Sequence, residues 1–213
     1  MNTKDRILDA AERLFARDGI EATSLRTITT EAGVNLAAVN YHFQSKEALV
    51  WSVVARRMGP LNERRLALLD AYEAAAGDRP MPLEQVLDAF LRPVVEISRS
   101  HAREFAPMMG RMYTEPGEFM ERVYKEHLRP VATRFIQAYR RALPGLPLVE
   151  LLWRLHFSVG VMAHTLGAAT LLRVMSDGQC DPTDTEGMLR RMSAFMQAGL
   201  EAPVPVEVEH AAH

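Results

Sequence analysis

Residues 24–43, SLRTITTEAGVNLAAVNYHF, followed directly by QSKEAL at 44–49, decide how this chain folds. They read as two short helices joined by a tight turn. Leu25 and Ile28 give the first helix an apolar face. Gly33 ends it, because glycine enters the left-handed region without the clash a Cβ would bring. Val34 plugs the corner, and Leu36, Ala37, Ala38 and Val39 open a second helix that carries Asn40, Tyr41 and His42 towards its end. A helix-turn-helix of this size fits its second helix into the major groove of duplex DNA.

Working outward, residues 4–17 place Ile7, Leu8, Ala11, Leu14 and Phe15 at helical spacing, with Thr3 the expected N-cap and Gly19 the stop. Thr23 and Ser24 cap the next helix. Ser45 caps a fourth, KEALVWSVVARRM, whose apolar side is Leu49, Val50, Val53 and Val54. Glu47 sits in its first turn, where negative charge meets the positive helix end. The helical pattern softens from residue 60 but continues through Leu61, Leu66, Leu69 and Tyr72 until Gly77-Asp78-Arg79-Pro80-Met81-Pro82 breaks it. Beyond that break there are no strand signals. The spacing predicts helices near 83–100, 102–113, 117–142, 148–174 and 184–200, with Pro93, Pro107 and Pro130 inside helical patterns and Pro182 near the first turn of the last helix. The fold class is therefore all-α: an N-terminal helix-turn-helix domain over 1–60, a helical domain over 61–201, and a disordered tail over 202–213.

Composition bounds the function. The 213 residues are 48% hydrophobic and 24% charged, with net charge −2, as in ordinary globular proteins. The single cysteine, Cys180, excludes an internal disulfide and fits a reducing compartment. Lys4, Asp5 and Arg6 precede an amphipathic stretch rather than an apolar signal core, so a cytoplasmic protein is expected. Residues 155–175 are apolar and long enough to test as a membrane span, but they include His156, Ser158, His164, Thr165 and Thr170, which favours a buried core helix. No G-x-S-x-G elbow, phosphate loop or metal-spaced cluster occurs, and Cys180 has no base beside it in sequence. The expectation is no enzyme, no cofactor and no metal; the rival reading is an enzyme acting on a lipid or thioester in an apolar cavity.

The run RILDAAERLFARDGIEATSLRTITTEAGVNLAAVNYHFQSKEAL resembles the N-terminal domain of TetR-family transcriptional regulators, through T-x-x-I-x-x-x-A-G-V and Y-x-H-F-x-S-K-E-x-L. Thr29 departs from that pattern, where the family usually has alanine. The resemblance implies a homodimer that binds a palindromic operator in double-stranded DNA, one recognition helix per half-site about 34 Å apart. A small effector would release it as a repressor; an activator on the same scaffold is the alternative. The DNA-contacting candidates are Ser24, Arg26, Thr27, Asn35, Leu36, Ala37, Ala38, Asn40, Tyr41, His42 and Lys46. Tyr41, His42 and Lys46 can donate to phosphate, Arg26 and Thr27 can reach the backbone, and Asn can bond adenine while apolar groups meet thymine methyls. Tyr41 as a packed aromatic and His42 as a plain surface histidine stay open, and Val39 and Phe43 read as core. Residues 1–46 carry six Lys or Arg against six Asp or Glu, so the module is neutral by count.

NLAAVNYHF-x-SKEAL together with VELLWRLHF is similar to the PsrA-like subgroup of fatty-acid-responsive regulators, which implies a fatty acid or acyl-CoA effector. Eleven of the twelve methionines lie at or after Met58, and flexible, polarizable methionine suits an adaptable apolar pocket, or simply a methionine-rich core. The effector candidates are Phe90, Arg103, Phe105, Met108, Met109, Met112, Phe119, Trp153, His156, Gly160 and His164. The expected dimer interface uses Phe157 and Val161 with Leu189, Met192 and Met196 of the last helix, as a four-helix contact between subunits.

Overall fold

In the computed structural model, residues 2–100 and 121–205 are described, without the side chains of 98–100. The expectations for Arg103, Phe105, Pro107, Met108, Met109, Met112 and Phe119, for the whole 102–113 helix and for the tail beyond residue 205 lie outside them. Within them the chain is helical and carries no strand. The elements are α1 (Thr3–Asp18), α2 (Leu25–Ala32), α3 (Leu36–Phe43), α4 (Lys46–Ala76), α5 (Leu83–Ser100), α6 (Arg129–Ala142), α7 (Leu148–Gly167), α8 (Ala169–Met175) and α9 (Thr185–Glu201).

The first three helices fold around one core. Ile7, Leu14, Phe15, Ile28, Val39, Leu49 and Val53 are buried together, and each large side chain withdrawn from water contributes about 1.5–3 kcal/mol. Local signals set the boundaries. Asn2, not Thr3, caps α1: its Oδ1 accepts from the Asp5 N–H at 2.8 Å, one residue earlier than expected. Ser24 caps α2 and Ser45 caps α4 through the Thr27 and Ala48 amides. Gly33 stands at φ +62°, ψ +42° and ends α2. The Thr29 hydroxyl, buried at the family's alanine position, donates to the Arg26 carbonyl at 2.8 Å, so its polarity is satisfied within its own turn.

α4 is longer than its sequence signal. It runs 31 residues through Pro60, across the residue where the two domains were expected to meet. A mid-helix proline costs about 3 kcal/mol. Here Met58, Leu61, Arg65 and Leu69 bury one face of the same helix, and its largest contact is with α5, so packing outweighs local propensity. Two ion pairs tie α1 to it. Arg57 grips Glu12 with two bonds of 2.6 and 2.8 Å, and Arg56 reaches Asp9 at 2.5 Å.

In the other half α5 packs on α4, α6 and α9. Pro93 lies inside α5 as expected. Pro130 sits in the first turn of α6, preceded by a π-turn over Tyr124–Leu128, in which the Arg129 N–H reaches back to the Tyr124 carbonyl. The wider turn accommodates the ring and the missing N–H. The expected helix 148–174 breaks instead at Ala168, and α7 and α8 meet at 76°. Only Leu151, Arg154, Ser158 and Met162 of α7 and no residue of α8 are buried, which corrects the reading of 155–175 as a buried core helix. Among the described residues no single helix is long and apolar enough to cross a membrane. Asp184 caps α9 through the Gly187 N–H, so Pro182 lies in the preceding turn and not in the helix. The start of the expected tail is held: Arg154 donates to the carbonyls of Leu200, Ala202 and Pro203.

Candidate nucleic-acid interface

The two helices around Gly33 present an exposed face that the core does not use. Val39 and Phe43 point inward at 0% and 4% exposure, while Tyr41 is 83% and Leu36 50% exposed. Asn35, Ala37 and Asn40 are exposed with them, and Ala38 and His42 are half-buried. The packed-aromatic alternative for Tyr41 fails on that number. Its ring meets His42 edge-on at 5.0 Å and is otherwise turned to solvent. A large aromatic left in water at the end of a two-turn helix is available to a partner.

The sequence reading of three candidates needs correction in detail. The Asn35 side chain is the N-cap of α3: its Oδ1 accepts from the Ala38 N–H at 2.9 Å, which leaves only its amide hydrogens for a base or phosphate. Ser24 is likewise engaged, with its oxygen 3.1 Å from the Thr27 nitrogen and 2.8 Å from the Thr27 hydroxyl. Lys46 is not a loose cation; its ammonium donates to the Glu21 carbonyl at 3.1 Å and keeps two further hydrogens. Arg26 is exposed, on the helix that precedes the turn. Sequence reasoning missed Arg6, whose Nη2 donates to the carbonyls of Ala32 and Gly33 at 2.6 and 2.9 Å and braces the turn from α1.

The neutral charge count is misleading once pairs are placed. Asp9 and Glu12 are held by Arg56 and Arg57, which lie outside residues 1–46, while Glu31 pairs with Arg13 and Asp18 with Arg17. Four of the six carboxylates are thereby occupied. Arg26 and Lys46, on the helix before α3 and the helix after it, are among the cations left outside those pairs, Arg26 exposed and Lys46 half-buried.

In the other half Phe90 lies against Phe135, ring centroids 5.5 Å apart, with the buried Arg65 guanidinium 4.2 Å above the Phe90 ring. Arg65 also donates to the Phe90 carbonyl and to the Met162 sulfur. Tyr139 is buried close by, and burial pushes its phenol above the ordinary range. The other described effector candidates do not join Phe90. Trp153 is 56% exposed, and His156, Gly160 and His164 are exposed on the same outer side of α7, because Leu151, Arg154, Ser158 and Met162 occupy the inner one. The interface assignment divides too. Phe157 is 59% exposed and Val161 half-buried, but Leu189, Met192 and Met196 pack into their own subunit against α5 and α7. The outward residue of α9 is Phe195, 68% exposed. Among the described residues no group of three or more His, Cys, Asp or Glu could hold a metal ion.

Residues 88–199 match the family described as "Tetracyclin repressor-like, C-terminal domain", and residues 7–53 match "Bacterial regulatory proteins, tetR family". The nicotine-responsive transcriptional repressor HdnoR of Paenarthrobacter nicotinovorans is 26% identical over 142 residues, 66% of this chain and 71% of that protein. The regulator AcrR of Shigella flexneri is 39% identical over 100 residues, 46% of this chain, and the match spans under half of that protein, 44%. The solved fatty acid degradation regulator FadR of Bacillus halodurans superposes with a TM-score of 0.66 at 17% identity, covering 95% of this chain and 98% of that one. FadR of Bacillus subtilis, solved in complex with stearoyl-CoA, superposes with a TM-score of 0.61 at 15% identity, covering 94% and 99%. With family matches over both its helix-turn-helix and more than half its length, this chain belongs to the TetR family of DNA-binding transcriptional regulators.

Proposed function

We propose that the protein is a homodimeric repressor that binds a palindromic operator through α3 and is released by a long-chain fatty acid or acyl-CoA. The observation that carries the DNA half is the exposed face of α3, with Tyr41 83% in water beside Leu36, Asn40 and the two cations Arg26 and Lys46. Tyr41, His42 and Lys46 hold phosphates, and Leu36, Ala37, Ala38 and Asn40 read base edges. The dimer forms through the exposed side of α7, with Val149, Trp153 and Phe157 joined by Phe195 of α9, an apolar surface unusual for a monomer. Repression is the activity named for HdnoR, and the lipid effector is supported by the stearoyl-CoA complex of a structural neighbour. The side chains around Phe90, Phe135 and Met162 are apolar, with the Arg65 guanidinium among them, the two chemistries that an acyl chain and its anionic group call for. The effector acts by preferring a subunit arrangement that misplaces the recognition helices.

The test is binding of the full chain to an operator selected from random duplexes, followed by fluorescence anisotropy, with and without stearoyl-CoA. Saturable binding, abolished by Tyr41→Ala and reversed by stearoyl-CoA, is the expected result. Binding indifferent to stearoyl-CoA, palmitate and oleate alike overturns the lipid reading and leaves the DNA reading standing. Failure of selection to enrich any sequence overturns both.

A further inference from the structure

The first turn of α4 holds a contradiction. Lys46 and the free amides of that turn suit a phosphate, yet Glu47 puts a carboxylate at the same helix end. A carboxylate there stabilises the helix but competes with a DNA phosphate for the same positive pole. Its charge is met by a residue from the other half of the protein. Arg122, in the helical turn just before Tyr124–Leu128, forms a close ion pair with Glu47 through its Nη1. Its guanidinium also lies 4.5 Å over the ring of Trp51, one turn further along α4, and its Nε bonds Glu126 at 2.9 Å. The Trp51 indole reaches back to Glu47 at 3.5 Å, and the His127 ring lies 5.9 Å from it. The Glu47 and Arg122 side chains are 66% and 49% exposed, so solvent screens the pair and it adds little to stability. What the pair changes is the field at the start of α4.

We propose that Arg122 is a DNA-affinity residue lent by the effector half: it neutralises Glu47, so that a phosphate can approach Lys46 and the start of α4 without repulsion. It acts through Glu47 and touches no DNA, which makes it a positioning residue. The proposal rests on reading the start of α4 as a phosphate contact. Two unit charges roughly 8–10 Å apart at a wet surface change affinity about two- to threefold, so about four- to ninefold for two subunits on one operator.

The experiment is anisotropy titration of the selected operator at low and at physiological salt with full-length wild type, R122A, R122K, E47Q and R122A/E47Q. Circular dichroism checks each fold. R122A is expected to weaken binding about four- to ninefold at low salt and less at high salt. R122K, which keeps the charge, binds like wild type, and E47Q binds as tightly or tighter. The double variant binds no more weakly than E47Q alone. Equal losses from R122A in the wild-type and E47Q backgrounds overturn the proposal, since Arg122 then acts independently of Glu47. An unchanged R122A overturns it as well, and so does a salt-independent loss. Should R122A misfold, R122Q takes its place; a loss of binding on E47Q overturns the proposal by itself. If the wild type binds no DNA, the phosphate-contact reading beneath the proposal falls first, and that result is distinct from all of these.

Discussion

Arg57→Ala should unseat α1 from α4. Glu12 is 2% and Arg57 14% exposed, and the two are joined by parallel bonds of 2.6 and 2.8 Å. Removing the guanidinium leaves a carboxylate with almost no solvent and no counter-charge. Breaking a buried pair from one side in this way costs about 3–5 kcal/mol. With a urea slope of about 2–3 kcal/mol/M, the midpoint should fall by roughly 1–2 M. Arg56 engages Asp9 through its Nη2, and the R56A/R57A double variant tests whether it compensates at Glu12. The assay is urea unfolding followed by circular dichroism for wild type, R57A and the apolar replacement E12L/R57M. The replacement removes both charges and keeps the volume, so it should recover most of the loss. A loss below about 1 kcal/mol for R57A would falsify the reasoning, since it would mean that water reaches Glu12 freely. A double replacement as unstable as the single would also refute it, by assigning the cost to lost packing and not to the stranded charge.

Three further outcomes follow from the geometry. Gly33→Ala should cost about 1–2 kcal/mol in thermal unfolding, because φ is +62° there and a Cβ would stand 2.9 Å from the Arg6 guanidinium; an unchanged melting temperature would show that the turn relaxes without penalty. Burial raises the Tyr139 phenol above its unfolded value, so the unfolded chain loses that proton first and stability should decline as pH rises past about 10; urea midpoints between pH 9 and 11.5 should decline less in Tyr139→Phe, and parallel curves would contradict this. Phe157→Arg places a charge in the middle of the outer face of α7 and should convert a dimer to monomers in sedimentation velocity, with folding intact; a dimer that persists would move the interface elsewhere.

What could be read in the sequence was what is decided within a few residues. Gly33, Ser24 and Ser45 set the ends of α2 and α4 through their own backbone or the next turn, and all three behave as expected. Cap choice slipped by one residue at Asn2, since both Asn and Thr can cap. The passage of α4 through Pro60 was hidden, because what holds it is contact with α5, more than twenty residues away. Periodicity showed that Leu189, Met192 and Met196 share a face, but not whether that face meets its own subunit or another one. The same ambiguity placed Trp153 in a pocket when it lies outside. Pairs such as Arg56–Asp9 and Arg122–Glu47 join residues 47 and 75 apart, and a count of charges along the chain cannot see them.

The unbroken length of α4 has a mechanical consequence. Thirty-one residues make a rod of about 46 Å, and Pro60 lies near its middle. Treated as a lever with its fulcrum there, an arm of about 21 Å turned through about 10° carries its DNA-side end nearly 4 Å. Two such levers moving apart in a pair would open the reading heads by about 7 Å, a fifth of the 34 Å between successive grooves. In a dimer bound to adjacent grooves, a modest push on the far arm would therefore be enough to take both heads out of register with the double helix.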